Sequence, residues 1–207
     1  MRLLITNIGI LAGLDKEQKL RLCGSEMKQF STIENAWLLI EDSRFKDWGT
    51  MSEMPSEGIP SDKTIDAGGG AVLPSWCDPH THIVFAGSRE GEFVDKICGL
   101  SYAEIAKRGG GILNSADLLH TLSEDELYSS AMRRVDEIIR KGTGCVEIKS
   151  GYGLNTEDEL KMLRVIRRIK ETTPLKVKST FLGAHAVGRG YSQPDYVDLV
   201  VNEMIPE

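Results

Sequence analysis

The feature that most restricts the fold of this chain is a repeated succession of strand and helix after about residue 68. Ala71-Val72-Leu73 leads a first strand into Asp78–His82, and β-branched runs predict further strands at 145–149 and 177–182. A helical pattern follows each strand. Parallel strands need such crossovers, so this part of the chain is predicted to be an α/β fold with helices packed outside a parallel sheet.

The helix ends carry recognisable signals. Ser123-Glu124-Asp125-Glu126 is a capping box that opens a helix, and Gly142 ends it. We interpret Thr156-Glu157-Asp158-Glu159 as a second capping box, whose helix ends near Pro174. A third helix is predicted from Tyr196 to Met204.

The front of the chain has a different pattern. Strands are expected at 3–5, 37–40 and 44–48, and the polar residues 41–43 form a hairpin turn between the second and third. We therefore predict two domains, residues 1–67 and residues 68–207. A closed eight-stranded barrel takes about 250 residues, whereas 68–207 supplies 140, so an interrupted barrel is expected.

Composition excludes several classes of function. The formal net charge of −6 and the absence of a basic block argue against a nucleic-acid partner. No apolar run approaches the ~20 residues of a membrane span, and the N-terminus does not read as a signal peptide. The four cysteines are widely spaced, which predicts free thiols and a cytoplasmic location.

The strongest chemical signal is His80-Thr81-His82. Residues two apart on a strand project to the same face, so both imidazoles point together at the carboxyl end of a barrel strand. Neutral imidazole suits zinc, iron and other transition metals. A bare His-x-His also occurs as a pair of surface histidines, but the Asp78-Pro79 that precedes this one favours a metal site.

The segments Ile65–Gly69, Val72–Pro74 and Asp78–His82 together resemble the entry to the barrel in the amidohydrolase superfamily. This resemblance implies a partial TIM-type (β/α)8 barrel preceded by a small β-sandwich segment, with metal on the His-x-His pair. Ser75-Trp76-Cys77 departs from the usual Gly-aromatic-aliphatic triplet.

Three narrower motifs resemble imidazolonepropionases: Phe85–Arg89, Glu147–Leu154 and Phe181–His185. By that resemblance His80 and His82 are metal ligands, while the substrate contacts are Arg89, Tyr152 and His185.

Each substrate contact has a physical rationale and a plainer alternative. The planar fork of Arg89 holds a carboxylate by two hydrogen bonds, although a lone arginine is usually solvated. Tyr152 lies between two glycines that let a ligand approach, or is a packing aromatic. His185 can hydrogen-bond a carbonyl and so assist catalysis, or is an ordinary histidine. Glu147 and Lys149 are either a buried pair or merely polar strand residues.

The implied activity is metal-dependent hydrolysis of the cyclic amide 4-imidazolone-5-propanoate to N-formimidoyl-L-glutamate, a step of histidine degradation. It requires one divalent metal, zinc or iron, and a small-molecule substrate; a homodimer is possible. Catalytic zinc takes about three protein ligands, and two are found here. The resemblance implies that the remaining ligands, a His and an Asp that also transfers protons, come from later strands beyond residue 207, so the isolated chain is expected to be inactive. The alternatives are another cyclic-amide hydrolase or deaminase of the superfamily, or a catalytically dead binding fragment.

Overall fold

The computed structural model describes residues 1–14, 19 and 21–207, which divide into two compact units, Met1–Pro74 and Ser75–Glu207. The strands are β1 Arg2–Ala12, β2 Thr32–Glu41, β3 Arg44–Thr50, β4 Lys63–Asp66, β5 Ala71–Val72, β6 Trp76–Thr81, β7 Thr143–Lys149 and β8 Lys176–Thr180. The helices are α1 Glu90–Ile97, α2 Tyr102–Lys107, α3 Ile112–Thr121, α4 Glu124–Arg140, α5 Thr156–Thr172 and α6 Gln193–Leu199. Among the described residues, none of these helices has both the length and the apolar character needed to cross a membrane.

The first unit is a five-stranded sheet in the order β3-β2-β1-β4, with β5 also paired to β1. The β2–β3 hairpin that the sequence predicts is confirmed. Its two-residue turn, Asp42-Ser43, has φ of 49° and 62°, as a type I′ turn requires at both positions. Along β2, Leu38 is buried on one face and Trp37 and Leu39 on the other, which explains the unbroken apolar run.

The prediction that residues 71–73 lead into the first strand of the parallel sheet is wrong. Ala71 and Val72 pair with Ile10 and Leu11 of β1 and so belong to the first sheet. Pro74 follows at once, and it has no N–H to donate to a ladder. The parallel sheet of the second unit begins only at Trp76.

The second unit contains the expected parallel sheet, in the order β6-β7-β8. On β7, Val146 and Ile148 are fully buried against apolar side chains of α4 and α5. Alternate residues of the same strand, Glu147 and Lys149, lie on the opposite face, as the two-residue period of a strand dictates. This arrangement confirms the α/β prediction for this part of the chain.

The capping box of α4 is confirmed. The Ser123 hydroxyl accepts from the Glu126 N–H, and the Glu126 carboxylate accepts from the Ser123 N–H. Gly142 follows the helix with φ of 91°. The capping box proposed for α5 is wrong. Asn155 is the N-cap, and its side-chain oxygen accepts from the Asp158 N–H at 2.9 Å. Asparagine competes well for this position, and the Glu159 carboxylate bonds elsewhere.

Candidate active site

The two histidines of the His-x-His segment lie at the carboxyl end of β6. Their ring centroids are 5.7 Å apart. His80 is exposed and His82 is half-buried. Between them, the Thr81 hydroxyl donates to the Glu147 carbonyl oxygen at 2.6 Å, which fastens this end of β6 to β7.

Tyr152 and His185 come to the same place from the ends of β7 and β8. The His82 ring lies 5.1 Å from that of Tyr152 and 5.5 Å from that of His185, and the last two are 5.8 Å apart. Because the carboxyl ends of parallel strands share one edge of a sheet, residues over 100 positions apart meet here. The structure thus brings together four of the five site residues expected from the sequence, while their chemical roles remain predictions.

The segments that carry Tyr152 and His185 are fixed to each other. The buried Ser150 hydroxyl accepts from the Leu182 N–H at 2.9 Å. Behind them, the Tyr196 hydroxyl donates to the Gly183 carbonyl at 2.7 Å. Burial, with the nearby charge of Glu159, raises the pKa of Tyr196 to about 12, so the hydroxyl keeps its proton and this hydrogen bond at every ordinary pH.

Arg89 is the N-cap residue of α1 and lines two neighbouring cavities. The first, about 410 Å³, is also lined by Tyr152 and His185; the second, about 360 Å³, by Tyr152 and His82. The segment before Arg89 is held from α4, where Arg134 Nε donates to the Ile83 carbonyl at 2.8 Å. Arg89, Tyr152, His82 and His185 therefore each line at least one of the two cavities.

Several residues of the larger cavity were not anticipated from the sequence. Glu92, Phe93 and Lys96 line it together with Arg89. These positions follow Arg89 at intervals of three, four and seven, the spacing of a single helix face. That periodicity is visible in the sequence. The start of the helix is not, because its N-cap is Arg89, which makes no side-chain cap hydrogen bond, rather than one of the usual capping residues.

The electrostatic surroundings of His82 favour its neutral form. Burial lowers the pKa of His82, and the nearby His185, His80 and Lys149 lower it further, against the opposing charge of Glu147. The buried Nδ1 of His82 has no hydrogen-bond partner among the described residues. A buried ring nitrogen without a partner is costly, and a neutral imidazole is the form that binds a metal. The His80–His82 pair therefore fits a metal ion.

Glu147 and Lys149 form a partly buried ion pair, with Lys149 Nζ 2.5 Å from the carboxylate. Burial acts to raise the pKa of Glu147, but hydrogen bonds from Lys149 and Thr180 outweigh it and hold the pKa below its ordinary value. The fourth histidine of the chain, His120, lies apart from these residues and bonds to Asp158 at 2.9 Å. Within the described residues, no group of three or more His, Cys, Asp or Glu side chains is arranged to hold a metal ion.

Solved structures with a similar fold include a triazine hydrolase and a guanine deaminase. A triazine hydrolase from Arthrobacter aurescens aligns with a TM-score of 0.59 at 15% identity, covering 99% of this chain and 42% of that one. Escherichia coli guanine deaminase aligns with a TM-score of 0.56 at 11% identity, over 86% of this chain and 35% of that one. At these identities the likeness shows the fold alone, which is a mixed α/β fold.

Sequence comparison is more specific. The chain is 56% identical over 209 residues to the imidazolonepropionase of Christiangramia forsetii and 51% identical over 209 residues to that of Flavobacterium psychrophilum. Each alignment covers 100% of this chain and 50% of the relative, so the chain spans about half the length of the curated relatives it matches. No family model matches it. The resemblance to the N-terminal half of imidazolonepropionase is thereby confirmed.

Proposed function

We propose that the gene product, meaning the polypeptide encoded by the gene that contains these 207 codons, hydrolyses 4-imidazolone-5-propanoate to N-formimidoyl-L-glutamate. The observation that carries this proposal is the convergence of His82, Tyr152 and His185, with ring centroids 5.1–5.8 Å apart, beside a cavity lined by Arg89. The identity to imidazolonepropionases over the whole chain supports the same reaction. Water adds across the ring amide: its oxygen bonds to the carbonyl carbon, the C–N bond breaks, and the nitrogen takes a proton.

The residues of this chain bind and orient the substrate. Arg89 accommodates the propionate carboxylate by two parallel hydrogen bonds. Its ion pair with Glu92, at 3.7 Å, is longer than a good hydrogen bond. Tyr152 positions the ring between the two cavities. His185 donates to the ring carbonyl and so polarises it for attack.

One divalent metal, zinc or iron, is proposed on His80 and His82, supported by the unpartnered Nδ1 of His82 and by its lowered pKa. When bound, such a metal supplies hydroxide at neutral pH by lowering the pKa of water from ~16 to about 7. The other ligands are proposed to lie outside these 207 residues. We also propose that the second unit, Ser75–Glu207, contains the first strand–helix units of a (β/α)8 barrel, and that the first unit, Met1–Pro74, forms part of a β-sandwich. A cytoplasmic location and a homodimer stay predictions.

The test is hydrolysis of 4-imidazolone-5-propanoate by the purified gene product, with N-formimidoylglutamate identified by mass spectrometry. A chelator should remove the activity, and zinc or iron should restore it. His82→Ala should lower both bound metal and turnover, because it removes a ligand. The matched control is His120→Ala, which removes a histidine that is 69% exposed and bonded to Asp158; it should keep both.

Other results would redirect the assignment. Turnover of guanine or another cyclic amide without turnover of the imidazolone would favour another hydrolase or deaminase of the superfamily. A gene product that binds no metal and hydrolyses neither compound would favour a binding protein without catalysis. The similarity to imidazolonepropionases does not favour either alternative.

A further inference from the structure

The carboxylate of Glu159 is buried beneath the segment that carries Tyr152. Its side chain is 1% exposed. Both oxygens accept from the Gly151 N–H, at 2.9 and 3.2 Å, and one also accepts from the N–H groups of Gly153 at 2.7 Å and Leu154 at 3.2 Å. One side chain of α5 therefore satisfies three backbone donors of the loop on both sides of Tyr152.

This loop has a backbone conformation that needs such support. Gly151 has φ of 108° and Leu154 has φ of 55°, and the latter is a costly conformation for a residue with a side chain. At Gly153 a Cβ atom would lie 2.4 Å from the Glu159 nitrogen, so the loop can approach the start of α5 only because glycine stands there. The neighbouring Asn155 side chain donates to the Gly153 carbonyl at 3.2 Å.

The same loop contacts the segment of His185. A Cβ atom on Gly151 would lie 3.1 Å from the Cβ of His185 and 2.9 Å from the Leu182 carbonyl oxygen. A displacement of Gly151 would therefore change the spacing of Tyr152 from His185 as well as from His82. The carboxylate stands on the side of the loop away from solvent, where it holds the backbone and leaves the Tyr152 ring free to line both cavities.

We propose that Glu159 is a positioning residue: its buried carboxylate clamps the Gly151–Leu154 backbone and thereby sets the place of Tyr152 for substrate. The clamp itself follows from the structure, while its effect on catalysis rests on the proposed function. The carboxylate is at the N-terminal turn of α5, where the helix dipole favours a negative group. Glu159→Gln puts an NH₂ group in place of the oxygen that accepts from the Gly151 N–H at 2.9 Å, and it removes the charge that strengthens the other hydrogen bonds.

The first experiment measures the clamp without any assay of activity. Amide hydrogen exchange of residues 151–154 is followed by mass spectrometry in the gene product, in Glu159→Gln and in Glu157→Gln. Glu157 is an exposed carboxylate two residues earlier on the same helix, which makes it the matched control. We expect Glu159→Gln to accelerate exchange of this loop and Glu157→Gln to leave it unchanged. Unchanged exchange in Glu159→Gln overturns the proposal.

The second experiment asks whether the clamp acts through Tyr152. Glu159→Gln should lower kcat/KM for 4-imidazolone-5-propanoate on the order of 10²-fold, the scale for a misplaced contact. In a Tyr152→Phe background the same substitution should cost about threefold or less, because residues that act as a unit are not additive. A general loss of folding would instead lower kcat/KM by the same factor in both backgrounds.

The outcomes separate the two claims. Faster loop exchange with a full, additive loss in the Tyr152→Phe background, or with unchanged kcat/KM, overturns the positioning role. If the unsubstituted gene product does not hydrolyse the imidazolone, the proposed function fails, and hydrogen exchange still decides whether Glu159 holds the loop.

Discussion

Replacement of Arg89 by lysine tests how the site recognises a carboxylate. The substitution keeps the positive charge, but it removes the planar fork that makes two parallel hydrogen bonds. In the structure the Arg89 side chain is 40% exposed, and its ion pair with Glu92 is long, at 3.7 Å. Its N–H donors are thus available to a ligand in the cavity, and the variant loses one charge-assisted hydrogen bond with little else.

The size of the effect follows from that single bond. A hydrogen bond to a charged group contributes about 1.5–3 kcal/mol, which corresponds to a fall in kcat/KM of roughly 10- to 150-fold. If the bond forms equally in the ground state and the transition state, KM rises and kcat changes little. The fall in kcat/KM caused by Arg89→Lys should be smaller for a substrate analogue that lacks the propionate carboxylate.

The assay is steady-state kinetics of the gene product with 4-imidazolone-5-propanoate. Arg108→Lys is the matched control, since Arg108, just after α2, is 63% exposed and pairs with Asp95 of α1 at 3.6 Å. A kcat/KM for Arg89→Lys equal to that of the control would show that Arg89 does not anchor the substrate, and the role given to it would have to be withdrawn.

Three further predictions concern metal, stability and association. His80→Ala should release most of the bound metal, measured by elemental analysis, and unchanged stoichiometry would refute the ligand assignment. Asp158→Asn should lower the free energy of unfolding in urea by about 3 kcal/mol at pH 7, because it breaks a buried pair with Lys161. Residues 1–207 expressed alone should associate in size-exclusion chromatography and show no turnover, since Val197, Val201 and other apolar side chains are exposed; an active monomer would contradict this.

The Asp158 effect has a definite pH dependence. Burial acts to raise the pKa of Asp158, but hydrogen bonds from Lys161, Asn155 and His120 outweigh it, so the folded pKa lies below the ordinary 3.8. A depressed carboxyl pKa contributes stability that is present above the unfolded value and is lost as the pH falls through the folded value. The difference between Asp158→Asn and the unsubstituted protein should therefore be full at pH 7 and shrink below pH 3.8. A difference that stays constant into acid would refute the account.

The sequence predicted the elements whose causes are local. The period of apolar residues identified α4, β7 and β8, and the spacing of His80 and His82 placed both imidazoles on one side of a strand. The assignment of residues 71–73 was wrong because a strand of two residues is too short for its sequence to indicate which strand it pairs with. Its pairing with β1 depends on contacts that are distant in sequence. Arg89 and Tyr152 were named through the family motifs, since a lone arginine or tyrosine has no local signature of binding.

The error at the start of α5 shows why local patterns mislead near a site. Thr156 to Glu159 has the composition of a capping box, yet Asn155 caps the helix, and the carboxylates of the two buried acids, Asp158 and Glu159, do not accept from the Thr156 N–H. Asp158 accepts from Lys161 and His120, whereas Glu159 accepts from the loop that contains Tyr152. A surface cap stabilises its own helix by about 1 kcal/mol, but a buried carboxylate must find several donors. The glycine-rich loop at residues 151–154 has N–H groups that need an acceptor, and Glu159 in the first turn of α5 needs donors, so each satisfies the other. The geometry of the site therefore depends on a residue that does not contact substrate.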